Sequence, residues 1–272
     1  MTKNPNKALW EKGDFTRIAR GMRASGEALI RELRVTPGLR VLDLGCGDGT
    51  TALPAARLGA DVLGVDIAAN LVAAGNLRAR NEGLANCRFQ EGDASDLQGL
   101  ADDAFDLVVS IFGAMFAPGP EAVAREMVRV TRQGGRIVMG NWIPNDPTLV
   151  AQILKISAAY SPPPAAGFVS PMTWGLEDMV IARYVGAGVP KDHISFARST
   201  YVFEHPGAPS ELLDDFSTYY GPTMNAFAAA EAEGRARELR QELNDLFQAQ
   251  NLSGEPSRTQ IPATFLKVTI SV

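Results

Sequence analysis

From Leu39 onward, short apolar runs alternate with stretches of helical period. Residues 40–44, 61–65, 87–90, 106–110 and 135–139 read as strands, most of them near-continuous apolar runs, as parallel strands covered on both faces require. Between them, residues 50–58, 69–82 and 120–131 carry helical spacing, the last with Val123, Met127 and Val130 on one face. Strands alternating with helical crossovers predict an α/β fold: a doubly wound, mostly parallel sheet with helices on both faces. After Trp142 the pattern changes. Pro144, Pro147 and a proline run in residues 161–167 separate helical pieces at 149–159 and 175–185, which predicts a helical cap inserted after the fifth strand, either a spacer or a lid. Period-two alternation returns at 199–203 and 263–270, so edge or antiparallel strands should complete the same sheet. Between these, Leu239, Leu243, Leu246 and Phe247 form one apolar helical face, and the charges around them form a solvated one. Four stretches follow: an N-terminal helical segment (1–34), a core (35–142), the cap (143–198) and a C-terminal part completing the same domain (199–272).

With 272 residues, 46% of them hydrophobic, the chain has enough apolar surface for a substantial core. A net charge of −5 gives no basic field to attract a phosphate backbone, which argues against nucleic acid as a partner. Two cysteines and two histidines fall short of a disulfide framework or a typical zinc site, so no metal is expected and a reducing cytoplasm is the expected compartment. The longest nearly apolar run, residues 107–117, is broken by Ser110 and Gly113 and falls short of the ~20 residues of a membrane span, so no membrane association is expected. The oligomeric state is left open.

The chemistry concentrates after the first strand, where Val41-Leu42-Asp43-Leu44-Gly45-Cys46-Gly47-Asp48-Gly49-Thr50 runs a strand into three alternating glycines and then a helix. Without side chains such a turn adopts positive φ and lets a ligand touch the backbone beside the free N–H groups of a helix start. Asp66 ends the second strand, where a carboxylate can accept from both ribose hydroxyls or cap the following helix. Asp93 ends the third strand, where it can accept from an adenine amino group beside Ala94, or cap a helix. The spacing Gly45-x-Gly47-x-Gly49 differs from the G-x-G-x-x-G of dinucleotide folds, which disfavours an NAD-type oxidoreductase.

With Gly64-Val65-Asp66-Ile67, Glu91-Gly92-Asp93-Ala94, Phe105-Asp106-Leu107-Val108 and Arg132-Gln133-Gly134-Gly135-Arg136 following in order, the chain resembles the class I S-adenosylmethionine-dependent methyltransferases over residues 35–142. Within them it is similar to the broad branch that includes quinone-biosynthesis-type small-molecule enzymes. The resemblance implies a Rossmann-like fold, S-adenosylmethionine as methyl donor and S-adenosylhomocysteine as product. It also implies that Asp43, Gly45, Cys46 and Gly47 line the methionine part of the cofactor and that Asp66 holds the ribose. Asp93 and Ala94 would bracket adenine, Ile67 would pack on it, and Ser110 would face the sulfonium. Where amide and adenine-amine methylating relatives carry an Asn/Asp-Pro-Pro-Tyr/Phe element, this chain has Ser110-Ile111-Phe112-Gly113, which disfavours those acceptors.

Transfer from a sulfonium needs alignment more than a strong nucleophile. His205 is a candidate base, as one of two side chains that titrate near neutrality. The resemblance further implies that Phe112, Met115 and Phe116 lead towards the acceptor, and the N-terminal segment around Trp10 and Phe15 resembles the family's entry segment over the cofactor, where Trp10 or Phe15 would shield the sulfonium. Trp142, Tyr160, Trp174, Tyr219 and Tyr220 are candidates for an apolar pocket. The expected activity is methyl transfer to O, C or N of a small apolar or aromatic molecule; a regulatory protein that binds the cofactor without turnover is the alternative.

Overall fold

The structure is a computed structural model describing residue 4 and residues 6–164 and 167–272; Ala165 and Ala166 of the expected proline loop lie outside the described residues. Three short helices, α1 (Asn6–Trp10), α2 (Phe15–Arg20) and α3 (Arg23–Glu32), precede the alternating core. The core comprises β1 (Arg40–Leu44), α4 (Ala52–Arg57), β2 (Asp61–Asp66), α5 (Ala69–Asn81), β3 (Cys87–Glu91), β4 (Phe105–Ile111), α6 (Pro120–Val130) and β5 (Thr131–Trp142). Then come α7 (Leu149–Ala159), α8 (Glu177–Gly186), β6 (Ile194–His205), α9 (Pro209–Tyr219), α10 (Gly221–Ala232), α11 (Ala236–Gln250) and β7 (Thr259–Ser271).

The seven strands are ordered β3-β2-β1-β4-β5-β7-β6, with β7 antiparallel to both neighbours and the other pairs parallel. The fold is thus the expected Rossmann-like α/β sheet. Central strands are apolar on both faces because helices cover both: Val41, Leu42, Val108 and Val109 are fully buried. On edge strand β3 only Cys87 and Phe89 turn inward, and on β7 burial alternates. The predicted face of α11 buries Leu239, Leu243 and Phe247.

The boundaries of β5, β6 and β7 differ most from the sequence reading, β7 starting at Thr259 rather than Ala263. β5 is longer than expected because its polar start, Thr131 to Gly135, is continuous with α6, the Thr131 hydroxyl donating to Met127 O at 2.6 Å. β6 starts at Ile194 rather than Ser199 because β7 offers it twelve partners, out to His205↔Thr259. The far half of β6 is tied to the N-terminal helices: the Val202 N–H donates to Ser25 Oγ at 2.9 Å and the Glu204 N–H to Gly21 O at 3.0 Å. Of the segment after β5, α8 packs on α6, while α7 packs on α11 and β7.

Candidate functional site

The turns that follow β1, β2, β3 and β4 all open on the carboxyl edge of the parallel strands, the position where doubly wound sheets bind ligands. A cavity of about 950 Å³, mouth included, runs along this edge. It extends from Gly92, Asp93 and Ala94 after β3, past Asp66 and Ile67, to Phe112 after β4 and Tyr201 on β6, under Asn4, Asn6, Trp10 and Phe15.

Its floor is the turn after β1. Gly45 (φ +69°) and Gly47 (φ +55°) occupy the left-handed region, which glycine enters without strain. A Cβ on Gly45 would lie 2.5 Å from Gly113 Cα, so the turns after β1 and β4 touch. A Cβ on Gly47 would meet nothing closer than the Phe15 ring at 3.9 Å; the space it would fill is the cavity.

Three carboxylates line the cavity. Asp66 accepts from the Gly47 N–H at 2.8 Å and the Ala68 N–H at 2.9 Å, so it braces the glycine turn and opens α5 at once. Burial raises its pKa, and those backbone N–H groups restrain the rise. Asp93 accepts from the Ser95 N–H and hydroxyl and, at 2.7 Å, from Asn4 Nδ2. Asp48, only 1% exposed, is held by Arg23 at 2.8 Å and Arg78 at 3.1 Å, which ties the turn to α3 and α5.

A second cavity, of about 400 Å³ with its mouth included, adjoins the first: Trp10, Phe15, Met22, Phe112 and Phe116 line both. Its remaining lining is Ile18, Trp142, Val150, Ile153, Phe203, Phe216 and Tyr220. Between the cavities, Phe112 has φ +60°, a strained conformation for a bulky residue, and its ring stacks on Trp142 at 3.6 Å and 9°.

A family model described as a methyltransferase domain matches residues 42–139. Rv1405c, an uncharacterized protein of Mycobacterium tuberculosis (strain ATCC 25618 / H37Rv), is 34% identical over 224 residues, 82% of this chain and 79% of its own. The methyltransferase GfsG of Streptomyces halstedii is 35% identical over 144 residues, 52% of this chain and 51% of its own. The crystal structure of YcgJ from Bacillus subtilis shares the fold at a TM-score of 0.58 and 21% identity, covering 91% of this chain and 98% of that one. The chain belongs to the class I S-adenosylmethionine-dependent methyltransferases.

The methyltransferase assignment sets aside the dinucleotide and non-catalytic alternatives, and its cofactor is S-adenosylmethionine. The residues fit that group: a bare-backbone cradle at Gly47 faces a cavity whose charged lining residues, among those described, are all acids, suited to ribose hydroxyls and a sulfonium cation. Among the described residues no helix is long and apolar enough to cross a membrane.

The cavity brings together Gly45, Cys46, Gly47, Asp66, Ile67, Asp93 and Ala94 with Trp10, Phe15, Phe112 and Phe116. Trp142 and Tyr220 line the second cavity. Other expectations are corrected. Asp43 lies beneath the turn, 1% exposed, accepting from the Thr51 hydroxyl; burial pushes its pKa up to about 7 against that bond. Ser110 donates to Leu44 O at 2.6 Å and accepts from the Ala114 N–H at 3.0 Å, so its hydroxyl bolts two turns together and does not face the cavity. Met115 is core.

Tyr160 donates to Glu242 at 2.7 Å, and Trp174 lies under Arg183 at 4.4 Å, both away from the cavities. Tyr219 sits beside Arg17, its position on α9 turning it outward where Tyr220 turns in. His205 ends β6, where Nδ1 accepts from the Gly207 N–H at 3.0 Å and Nε2 lies 3.4 Å from Asp215; it lines neither cavity. Among the residues sequence reasoning missed are Asn4, Asn6, Met22, Asp48, Thr50, Thr51 and Tyr201. The Asn and Met residues carry no local signal, whereas Asp48 and both threonines sit inside or next to the glycine motif.

Proposed function

We propose that this methyltransferase moves a methyl group, by in-line displacement, to O, C or N of a small, largely apolar or aromatic molecule held in the second cavity. The observation that carries this reading is the lining of that cavity: among the described residues, twelve side chains with no carboxylate, imidazole, ammonium or guanidinium, adjoining the cofactor cavity through five shared residues. A charged acceptor would lose its hydration there without a partner. An overall charge of −5 and closure of the site by the N-terminal segment favour a small molecule over nucleic acid.

S-adenosylmethionine supplies a methyl group on a positively charged sulfur that departs as a neutral thioether. The chain's own groups hold and align. Backbone at Gly45, Cys46 and Gly47 would hold the methionine part, Asp66 has lone pairs left for the ribose, Asp93 and Ala94 would meet the adenine edge, and Ile67 would flank its face. Trp10 and Phe15, in edge contact at 5.9 Å, close the site against water. The Phe112 and Trp142 stack offers a flat wall for a planar acceptor. Burial raises the Tyr220 pKa, so its phenol stays protonated and orients the acceptor by donating. With no side-chain base among the described residues lining the second cavity, the acceptor's own nucleophilic atom takes the methyl group and its proton passes to water as the product leaves, while alignment lowers the barrier, an effect worth up to ~7–11 kcal/mol.

The test is incubation with methyl-labelled S-adenosylmethionine and a metabolite extract, followed by mass spectrometry. A labelled product that is apolar or aromatic is expected. Label appearing only on polar, charged metabolites would overturn the acceptor assignment.

A further inference from the structure

Tyr201 lies on the half of β6 that is tied to α2 and α3, with its ring edge-on to Phe112 at 5.1 Å. It lines the cofactor cavity, is 2% exposed, and its hydroxyl has no hydrogen-bond partner. A buried donor without a partner is costly in a folded protein and points to a missing ligand group. Of the other side-chain donors of this cavity, Asn4 is committed to Asp93, Asn6 to Phe116 O and the Thr51 hydroxyl to Asp43, while the Trp10 indole and the Thr50 hydroxyl are part-exposed, so that among the described residues lining it the buried donor left unpaired is Tyr201. No lysine or arginine is among the described residues that line it. Among the described residues, then, this lining offers the carboxylate at the amino-acid end of the cofactor neutral donors and no cation.

Position agrees with chemistry. The cavity starts at Asp93 beside edge strand β3 and reaches Tyr201 from the strand at the other edge of the sheet, so a ligand with its nucleoside end near Asp66 and Asp93 extends towards Tyr201. Burial keeps the phenol protonated, hence a donor. We propose that the Tyr201 hydroxyl donates to the amino-acid carboxylate of S-adenosylmethionine, so that β6 as well as the glycine turn holds the cofactor. This rests on the cofactor assignment made above.

Calorimetric titration with two probes tests it: S-adenosylhomocysteine, which keeps the amino-acid end, and 5′-methylthioadenosine, which lacks it. Tyr201→Phe should weaken S-adenosylhomocysteine about tenfold or more and leave 5′-methylthioadenosine affinity unchanged. Without ligand the variant should melt no lower than the wild type, because the hydroxyl removed has no internal partner. Unchanged S-adenosylhomocysteine affinity, equal weakening of both probes, or a lower melting temperature without ligand would each overturn the proposal. A wild-type protein that bound neither probe would instead overturn the cofactor assignment itself.

Discussion

Asp43→Asn separates what a carboxylate does beneath the glycine turn from what the family resemblance expects of it. The wild-type side chain is 1% exposed, accepts from the Thr51 hydroxyl through Oδ2 and leaves Oδ1 without a partner. Burial pushes its pKa from 3.8 up to about 7, so the folded protein binds this proton more tightly than the unfolded chain. The stabilising contribution is therefore full below pH 3.8 and is lost as pH rises through about 7. With these two values, linkage gives roughly 2–3 kcal/mol at pH 5 and nearly nothing at pH 8. Asparagine keeps an oxygen for Thr51 and does not titrate. The stability gap between variant and wild type should thus move in the variant's favour by about 2–3 kcal/mol from pH 5 to pH 8, read by urea denaturation at fixed ionic strength. Asp66, whose pKa burial also raises, titrates in both proteins and largely cancels in the difference. A gap constant to within about 0.5 kcal/mol would refute the reasoning. Because Asp43 does not line the cavity, the variant should also keep its affinity for S-adenosylhomocysteine.

Gly47→Val should remove S-adenosylhomocysteine binding by at least about a hundredfold in calorimetry, since its side chain would occupy the cradle. Its folding cost should be only about 1–2 kcal/mol from the positive φ, measured by denaturation. Asp66→Ala leaves the Gly47 and Ala68 N–H groups without their acceptor, so about 2–5 kcal/mol of stability should be lost together with cofactor affinity; retention of both would remove Asp66 from the site. Trp142→Ala, by opening the wall of the second cavity, should leave S-adenosylhomocysteine binding intact while labelled product formation from extract falls. His205→Asn should change neither, and a loss of turnover at full cofactor affinity would restore the histidine as base.

Periodicity alone determined the parallel core, because each central strand must be apolar on both faces to lie between two helical layers, and it placed the glycine turn at the sheet's carboxyl edge. Alternating glycines and the acids after β2 and β3 were legible for the same reason: such positions need bare backbone or a carboxylate whatever surrounds them. Which side chains then face a common space was decided by the tertiary structure. Ser110 and Asp43 sit in the most motif-like positions, yet one bolts two turns together and the other is sealed under the floor. Tyr201, on a plain alternating strand, reaches the cavity only because β7 pairs along the whole of β6 and the N-terminal helices draw its far half inward. Local pattern records burial of one residue at a time, whereas a site is a coincidence of residues far apart in the chain, fixed by packing that no single segment encodes.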